Sequence, residues 1–247
     1  MAPEGRRLVI VKAGGTFPAL ARNQGDFDDW VAAGLGLPAG AIQVVNPRRA
    51  AALPEPAACT GVVMTGSHAM VTDWTPWMAR LADWLCRVVE AEVPYLGICF
   101  GHQLLAQALG GRVDYHPGGR EIGTVDIDLL PAAVGDPLFA SLPPGFSAHV
   151  VHAQTVMEPP PGAVRLAENA FEPTHAFRVG RRAWGVQFHP EFDPARMAGY
   201  VDRLAADLVA AGHDPGRIRA GIGETPRRRA CCRLSLGWPG GSLEPAY

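Results

Sequence analysis

The stretch VPYLGICFGHQLLAQALGG, Val93–Gly111, decides the fold because a strand, a tight turn and a helix follow one another in it. The apolar run Pro94–Ile98 predicts a short buried strand, and His102–Leu109 predicts a helix. The pair Gly110-Gly111 is typical of a helix C-terminus, where glycine adopts a left-handed conformation without steric penalty. A strand that leads directly into a helix is the repeating unit of a parallel α/β sheet.

Cys99 lies at the corner between this strand and this helix, in the pattern G-x-C-x-G. A nucleophile at so sharp a turn has a strained backbone, and Gly97 and Gly101 remove the Cβ atoms that would collide there. The helix N-terminus favours a thiolate, and the N–H of Phe100 is a natural oxyanion donor. Most cysteines are merely small buried apolar residues, but this setting favours a nucleophile.

A second stretch, AWGVQFHPEF, Ala183–Phe192, predicts a strand that ends near His189, with Glu191 two residues later. A histidine with a carboxylate beside it can act as a general base whose tautomer the carboxylate fixes. Alone, H-x-E is as well explained by an exposed histidine beside a chance glutamate. Together with the turn at Cys99, it predicts a Cys–His–Glu triad in which His189 takes the thiol proton and returns it to the leaving group.

The remainder of the chain alternates short apolar runs with amphipathic helical patterns. Continuous Val/Ile/Leu strands of this kind predict a mostly parallel sheet covered by helices on both faces, a three-layer αβα, flavodoxin-like α/β fold. The clearest further helices are Thr75 to about Glu92, with Thr75 as N-cap and Pro76 first in the helix, and Pro194 to about Ala211. The predicted strands are Leu8–Val11, Ile42–Val45, Gly61–Met64, Pro94–Ile98, Thr124–Leu129 and Ala183–Phe188.

These motifs resemble those of the class I, triad-type glutamine amidotransferases, and most of all stand-alone relatives of the amidotransferase domain of GMP synthase. The resemblance covers roughly Leu8 to Leu208 and implies the fold of that family. It also implies that Cys99, His189 and Glu191 hydrolyse the side-chain amide of glutamine. The chain order, with His189 before the acid, differs from that of α/β-hydrolases. The motifs are VVMTGSHAMV, LGICFGHQLLAQALGG, GREIGTV, HVVHAQTV and GVQFHPEF.

The resemblance also implies the residues around the reacting amide. The N–H of Ser67, beside Gly66, would pair with that of Phe100 as an oxyanion hole. Gln103, one helical turn after Cys99, would contact the substrate glutamine. An exposed helix residue is the alternative for Gln103.

The segment His149–Val156 corresponds to the part of the family that holds the α-amino and carboxylate groups of the substrate, with contacts expected from His152, Ala153 and Gln154. Val151 and Gln154 stand where a serine and an aspartate are common, which leaves the identity of the substrate open. The nearby residues Arg120, Glu121 and Gly123 are expected to form a loop with a structural role.

Composition excludes several other classes of function. The 247 residues, 48% of them hydrophobic, suffice for one core but not for two full catalytic domains. A net charge of -2 gives no basic surface for nucleic acid. No apolar run is long enough to span a membrane or to serve as a secretory signal, so we expect a cytoplasmic protein. The odd number of cysteines without C-x-x-C pairs indicates neither a disulfide framework nor a zinc site, and the triad chemistry requires no metal or cofactor.

We expect an amidotransferase domain over residues 1–212 and a peripheral or disordered tail over residues 213–247. The tail contains the adjacent pair Cys231 and Cys232, for which a chance pairing is a better explanation than a redox or metal role. Truncation after Gly212 is expected to be tolerated.

Three functions remain open at this point. The protein is a glutaminase that supplies ammonia to an acceptor or a separate synthetase subunit, or it hydrolyses γ-glutamyl amides or peptides with the same triad. The third possibility is a regulatory subunit that keeps the fold without catalysis, which the presence of all three triad residues disfavours.

Overall fold

The structure is a computed structural model that describes residues 6–49, 53–140 and 142–225. The strands within these ranges are β1 (Arg7–Val11), β2 (Ile42–Val45), β3 (Cys59–Met64), β4 (Tyr95–Ile98), β5 (Arg112–Tyr115), β6 (Glu121–Leu129), β7 (Gly145–His152), β8 (Gln154–Glu158), β9 (Val164–Glu168), β10 (Ala176–Val179) and β11 (Ala183–Val186). The α-helices are α1 (Pro18–Gln24), α2 (Phe27–Leu35), α3 (Pro76–Glu90), α4 (Phe100–Ala108), α5 (Pro194–Arg203), α6 (Ala205–Ala210) and α7 (Pro215–Ala220). None of these helices is long and apolar enough to cross a membrane.

Among the described residues, nine strands form one sheet in the order β2-β1-β3-β4-β11-β10-β9-β6-β7. The strands from β2 to β11 pair in parallel, and those from β11 to β7 pair antiparallel. The strands β5 and β8 form a separate antiparallel pair. The predicted α/β fold is confirmed, and its parallel half carries all the predicted triad residues.

The parallel strands β1, β3, β4 and β11 are buried on both faces, which explains their continuous apolar runs, whereas β2 lies at the edge of the sheet and is partly exposed. In β1, Leu8 and Ile10 pack in one core with residues of α2, whereas Val9 and Val11 pack in a second core with α3 and α4. Successive side chains of a strand point to opposite faces, so an unbroken apolar strand implies a helical layer on each side.

The predicted strands are all present. Ile42–Val45 has the predicted bounds, and the other strands have shifted ends. The last one ends at Val186 rather than Phe188, although the Gln187 N–H still donates to the His175 carbonyl at 2.8 Å, in register with the pairing of β10 and β11. The predicted loop at Arg120–Gly123 was wrong, since Glu121 and Gly123 belong to β6. Five strands were not predicted from the sequence, most of them in the antiparallel half: β5, β7, β8, β9 and β10.

Two of the predicted helices need correction. The helix α3 starts at Pro76 after Thr75, as predicted, but the Thr75 side chain makes no capping hydrogen bond. The helix expected from Pro194 to about Ala211 is two helices, α5 and α6, which break at Leu204. By contrast, α4 ends at the predicted glycine signal, with Gly110 at φ 88° and the Gly111 N–H bonded to Ala106 O at 2.8 Å.

The packed unit extends past the expected boundary at residue 212. Ile218, on α7, packs against the cluster formed by α5 and Ile122 of β6, and Arg219 lies 2.7 Å from Asp202. The Gly223 N–H donates to Thr124 Oγ1 at 3.1 Å. Residues 213–225 therefore cover one edge of the domain, and residues 226–247, with Cys231 and Cys232, lie outside the described residues.

Candidate active site

Cys99 is held at the junction of β4 and α4 in a strained conformation, with φ 49° and ψ −97°. A positive φ at a residue other than glycine costs free energy and persists only where the surroundings enforce it. Here the Cys99 N–H donates to Val186 O on β11 at 2.8 Å, and its carbonyl accepts from the Gln103 N–H at 3.0 Å. The neighbouring strand and the first turn of the helix thus fix the corner from both sides.

The glycines on either side of Cys99 allow the backbone to approach itself closely. A Cβ on Gly97 would lie 2.4 Å from the Gly101 backbone, and a Cβ on Gly101 would lie 2.7 Å from Met64 O. Neither distance is compatible with a side chain. The steric reason inferred from the G-x-C-x-G pattern is therefore present in the structure.

His189 and Glu191 form a buried pair just beyond the end of β11. The Nδ1 of His189 lies 2.8 Å from Oε1 of Glu191, and the His189 N–H donates to His149 O at 2.8 Å. Burial alone would lower the pKa of His189, but the charge of Glu191 and the interaction with Cys99 outweigh it and raise that pKa to about 10. The imidazole is therefore protonated near neutral pH.

The predicted triad and the predicted oxyanion turn meet at one point. A Cβ placed on Gly66, after β3, would lie 3.0 Å from His189 Cε1 and 3.9 Å from Cys99 Cβ. The strands β3, β4 and β11 are adjacent and parallel, so their carboxyl ends deliver these residues to the same edge of the sheet. Ligand sites of open α/β sheets lie at such edges.

The Ser67 side chain holds its own turn in place. Its hydroxyl donates to Ala13 O at 3.3 Å and accepts from the Ala69 N–H at 3.1 Å and from Arg48 at 3.3 Å. On the other side of the pocket, Phe100 is the first residue of α4, where backbone N–H groups have no partner inside the helix. The oxyanion role of Gly66, Ser67 and Phe100 stays a prediction that this arrangement permits.

The four residues expected to contact substrate all line the same pocket, but three of their side chains are used to build its wall. Gln103 Nε2 donates to Gln154 O and to Gln187 Oε1, each at 2.9 Å. The Gln154 amide accepts from the Val71 N–H at 2.9 Å and donates to Thr72 at 2.6 Å. Contacts from these residues to a substrate would therefore come mainly from backbone atoms and from Ala153.

His152 directs its ring away from the pocket, into a buried polar cluster that the sequence analysis missed. Its Nε2 lies 2.9 Å from Glu121 Oε2, which is also 3.5 Å from the ring of His175. Burial alone would raise the pKa of Glu121, but the bonds from His152 and Asn169 and the nearby His175 lower it. No sequence pattern links these residues, because β6, β7 and β10 bring them together from distant parts of the chain.

Aromatic rings line one side of the pocket and form an aromatic rim that was not predicted from the sequence. The rings of Phe17 and His68 lie 4.5 Å apart, and His68 Nε2 lies 3.1 Å from the Tyr200 hydroxyl. The Tyr200 hydroxyl also lies 2.9 Å from Thr16 Oγ1. Phe27 and Leu204 complete this rim of a cavity of about 230 Å³. The apolar face of the helix after Pro194 was the available signal, although it gave no indication of a pocket.

Comparisons with known proteins agree with the fold and with the predicted resemblance. The family model of class I glutamine amidotransferases matches residues 41–203, more than half of the chain. The glutamine-hydrolysing GMP synthase of Aeropyrum pernix is 36% identical over 195 residues, which cover 78% of this chain and 36% of that protein. The chain thus spans about a third of the length of that relative. Gamma-glutamyl peptidase 4 of Arabidopsis thaliana is 28% identical, covering 68% of this chain and 64% of the peptidase.

Among solved structures, a glutamine amidotransferase of Thermotoga maritima superposes with a TM-score of 0.70 at 19% identity, covering 95% of this chain and 97% of the other. A glutamine amidotransferase of Methylobacillus flagellatus gives a TM-score of 0.70 at 24% identity, covering 98% and 97% of the two chains. At these identities the structures show a shared α/β fold and nothing further.

The substitution Gly97→Ala should destabilise the protein by roughly 2 kcal/mol or more, because its Cβ would overlap the Gly101 backbone. Gly40→Ala is the matched control, since a Cβ at Gly40 meets no atom within 4 Å, and we expect a change within about 0.5 kcal/mol. Urea unfolding of both variants measures the difference. Equal stabilities for the two variants would show that the close approach of the Gly97 and Gly101 backbones does not affect the free energy of unfolding.

The protein should lose stability as the pH falls below about 6.5. Burial lowers the pKa of both His102 and His175 to about 3, so the unfolded chain binds more protons between these pH values. Each histidine contributes a slope of up to about 1.4 kcal/mol per pH unit. Urea unfolding at a series of pH values checks this.

His102→Asn should flatten that acid slope, whereas the control His213→Asn, at a partly exposed position outside the buried cluster, should leave it unchanged. A stability that is constant from pH 6.5 to 4.5 in the unsubstituted protein would contradict the neutral, buried state of these rings.

Proposed function

We propose that this chain, which belongs to the class I glutamine amidotransferase family, hydrolyses the side-chain amide of glutamine to glutamate and ammonia through a thioester on Cys99. The observation that carries the proposal is the convergence of Cys99, the Gly66-Ser67 turn and the His189–Glu191 pair at the carboxyl ends of three adjacent strands. A nucleophile, an oriented acid–base group and backbone donors are the components that acyl transfer requires.

In the first half of the reaction, the Cys99 thiolate attacks the amide carbon, and the N–H groups of Phe100 and Ser67 bind the developing oxyanion. The protonated His189 then donates its proton to the amide nitrogen, which leaves as ammonia. The acyl group remains on Cys99 as a thioester. A raised pKa suits His189 for this step, because the ring must carry a proton when the leaving group departs.

In the second half, the now neutral His189 removes a proton from water, and the resulting hydroxide attacks the thioester carbonyl. The carbon–sulfur bond breaks, which releases the acid and regenerates the thiolate with His189 protonated. Glu191 accepts a hydrogen bond from Nδ1 throughout and thereby keeps Nε2 as the reacting nitrogen. The sum is one water and one amide consumed for one carboxylate and one ammonia formed, and no step needs a metal or an organic cofactor.

A second candidate is hydrolysis of γ-glutamyl amides or peptides, in which the leaving group is an amine larger than ammonia. The aromatic rim of Phe17, Phe27, His68 and Tyr200 around the pocket supports this candidate, because apolar rings would pack against a bulky leaving group. The similarity to a γ-glutamyl peptidase supports it as well.

The glutaminase proposal includes a partner. The relatives named GMP synthase are about three times as long as the part that matches this chain. In this proposal, a separate synthetase subunit consumes the ammonia. We expect a synthetase to co-purify with the chain from its native host. We also expect the glutaminase rate of the chain to rise when this synthetase is added. Glutaminase activity that is unaffected by any co-purifying protein would count against a dedicated partner.

Cys99→Ala should abolish hydrolysis of both L-glutamine and a γ-glutamyl dipeptide, and it should abolish labelling by a glutamine analogue that carries an electrophilic diazoketone. Cys86→Ala is the control, because Cys86 lies on α3 and its thiol contacts Ala108 O, outside the pocket. Mass spectrometry locates the adduct, and ammonia and dipeptide assays rank the substrates. An unlabelled Cys99 in folded protein would support the non-catalytic alternative, and dipeptide cleavage without glutaminase activity would favour the second candidate.

Glu191→Gln should lower kcat on the order of 10²-fold and shift the alkaline limb of the pH profile to lower pH. The charge that raises the pKa of His189 is then absent, so burial lowers that pKa and the ring loses its proton earlier as the pH rises. Glu158→Gln, at an exposed position of β8, is the control. A profile whose alkaline limb does not move in Glu191→Gln would refute this role of the carboxylate.

A further inference from the structure

Charge is distributed unevenly around the pocket. Arg120 is the one arginine or lysine among the described residues that line it, and none of those residues is aspartate or glutamate. The protonated His189 adds a second positive charge beside Cys99. The Glu191 carboxylate, 2.8 Å from the His189 ring, balances the charge of His189, which leaves Arg120 as the charge on the pocket wall without a counter-charge among the described residues.

Arg120 has no partner of opposite charge among residues 6–49, 53–140 and 142–225. The adjacent carboxylate of Glu121 is occupied by His152 at 2.9 Å and Asn169 at 2.8 Å. Arg48, the other arginine near the site, is engaged with Ala13 O and Ser67 and lies over the ring of Trp77. A partly buried arginine on a pocket wall that forms no ion pair is suited to bind an anionic group of a ligand.

Arg120 also lies near the part of the pocket where the substrate contacts are expected. It precedes Glu121, which pairs with His152 at the start of β6, so it neighbours the β7–β8 corner at Ala153. Its charge contributes, after burial and His189, to lowering the pKa of His68 on the aromatic rim. The guanidinium therefore acts on the side of the pocket that carries His68.

Among the described residues that line the pocket, no carboxylate side chain is present to pair with an ammonium group. The Gln154 amide is engaged by Val71 and Thr72, and Glu191 is bonded to His189 behind the reacting atoms. Repulsion from Arg120 opposes a positive charge in the same space.

We infer that Arg120 binds the carboxylate of the substrate and that the site requires no α-ammonium group. The inference rests on the proposed amide hydrolysis and names its substrate class, which is the ω-amides of dicarboxylic acids, with or without an α-amino group. Glutamine is one member of this class. Amides whose α-amino group is missing or acylated are equally acceptable to the charges of the pocket.

Two truncated forms of glutamine separate the two recognition elements. Glutaramate keeps the amide and the carboxylate but lacks the amino group, and 4-aminobutanamide keeps the amide and the amino group but lacks the carboxylate. We expect kcat/KM for glutaramate within about threefold of that for glutamine, and a value on the order of 10- to 100-fold lower for 4-aminobutanamide. Hydrolysis of 4-aminobutanamide that equals or exceeds that of glutaramate overturns the inference.

Arg120→Gln should raise KM for glutamine and glutaramate on the order of 10- to 100-fold with a smaller change in kcat, and Arg120→Lys should restore part of the loss. Arg87→Gln is the matched control, because Arg87 is exposed on α3 and pairs with Glu55 outside the pocket. An equal loss of kcat/KM for all three amides in Arg120→Gln would indicate a structural role and contradict carboxylate binding.

Binding to Cys99→Ala protein tests recognition without turnover. Calorimetric titration should show glutaramate binding more tightly than 4-aminobutanamide, and the double variant Cys99→Ala/Arg120→Gln should lose that preference. If the protein hydrolyses none of the amides but shows this binding preference, the proposed hydrolysis fails and the role of Arg120 stands. If the double variant retains the preference, Arg120 does not bind the carboxylate, whatever the activity.

Discussion

The close contact between the end of β4 and the start of α4 is the constraint on which the site depends. With no Cβ on Gly97 or Gly101, the two backbones meet at distances that any side chain would prevent. That contact forces the chain through the positive φ of Cys99 and leaves the thiol at the edge of the sheet, beside the unpaired N–H groups of the helix. Position, exposure and electrostatic environment of the thiol all follow from one steric requirement.

The pairing of β4 with β11 also positions His189, the predicted base, relative to the turn at Cys99. The bond from the Cys99 N–H to Val186 O fixes where β11 ends relative to the turn, so the residues that follow Val186 start from a set position. The bond from the His189 N–H to His149 O then anchors the backbone of His189 to β7. Glu191 is buried with its oxygen against Nδ1, so solvent screens its charge little. This charge therefore raises the pKa of His189 by more than burial lowers it.

Local sequence predicted the parallel half of the fold and the turn that carries Cys99 because the physical cause there is local. A buried strand, two glycines and a helix are contiguous in the chain, and His189 lies two residues from Glu191. The antiparallel half depends instead on pairings between distant strands, such as Glu121 with His152, for which short apolar runs give no register. For the same reason, the sequence predicted neither the polar cluster around Glu121 nor the aromatic rim that includes Phe17 and Tyr200.

The wall of the pocket is tied to the nucleophile through one side chain. Gln103, one turn after Cys99 on α4, donates to the carbonyl of Gln154 on β8 and to Gln187 just after β11. Any displacement of α4 therefore displaces the β7–β8 corner with it, which keeps the distance between the thiol and the wall constant. Arg120 stands outside this network, on the segment that enters β6. Hydrogen bonds thus connect the segments that carry Cys99 and His189 to the wall of the pocket. Arg120, the residue that would select the substrate, forms none of these bonds and can be substituted without removing them. Substrate preference can consequently differ among proteins that share this turn and this histidine–glutamate pair, since the two properties depend on separate sets of contacts.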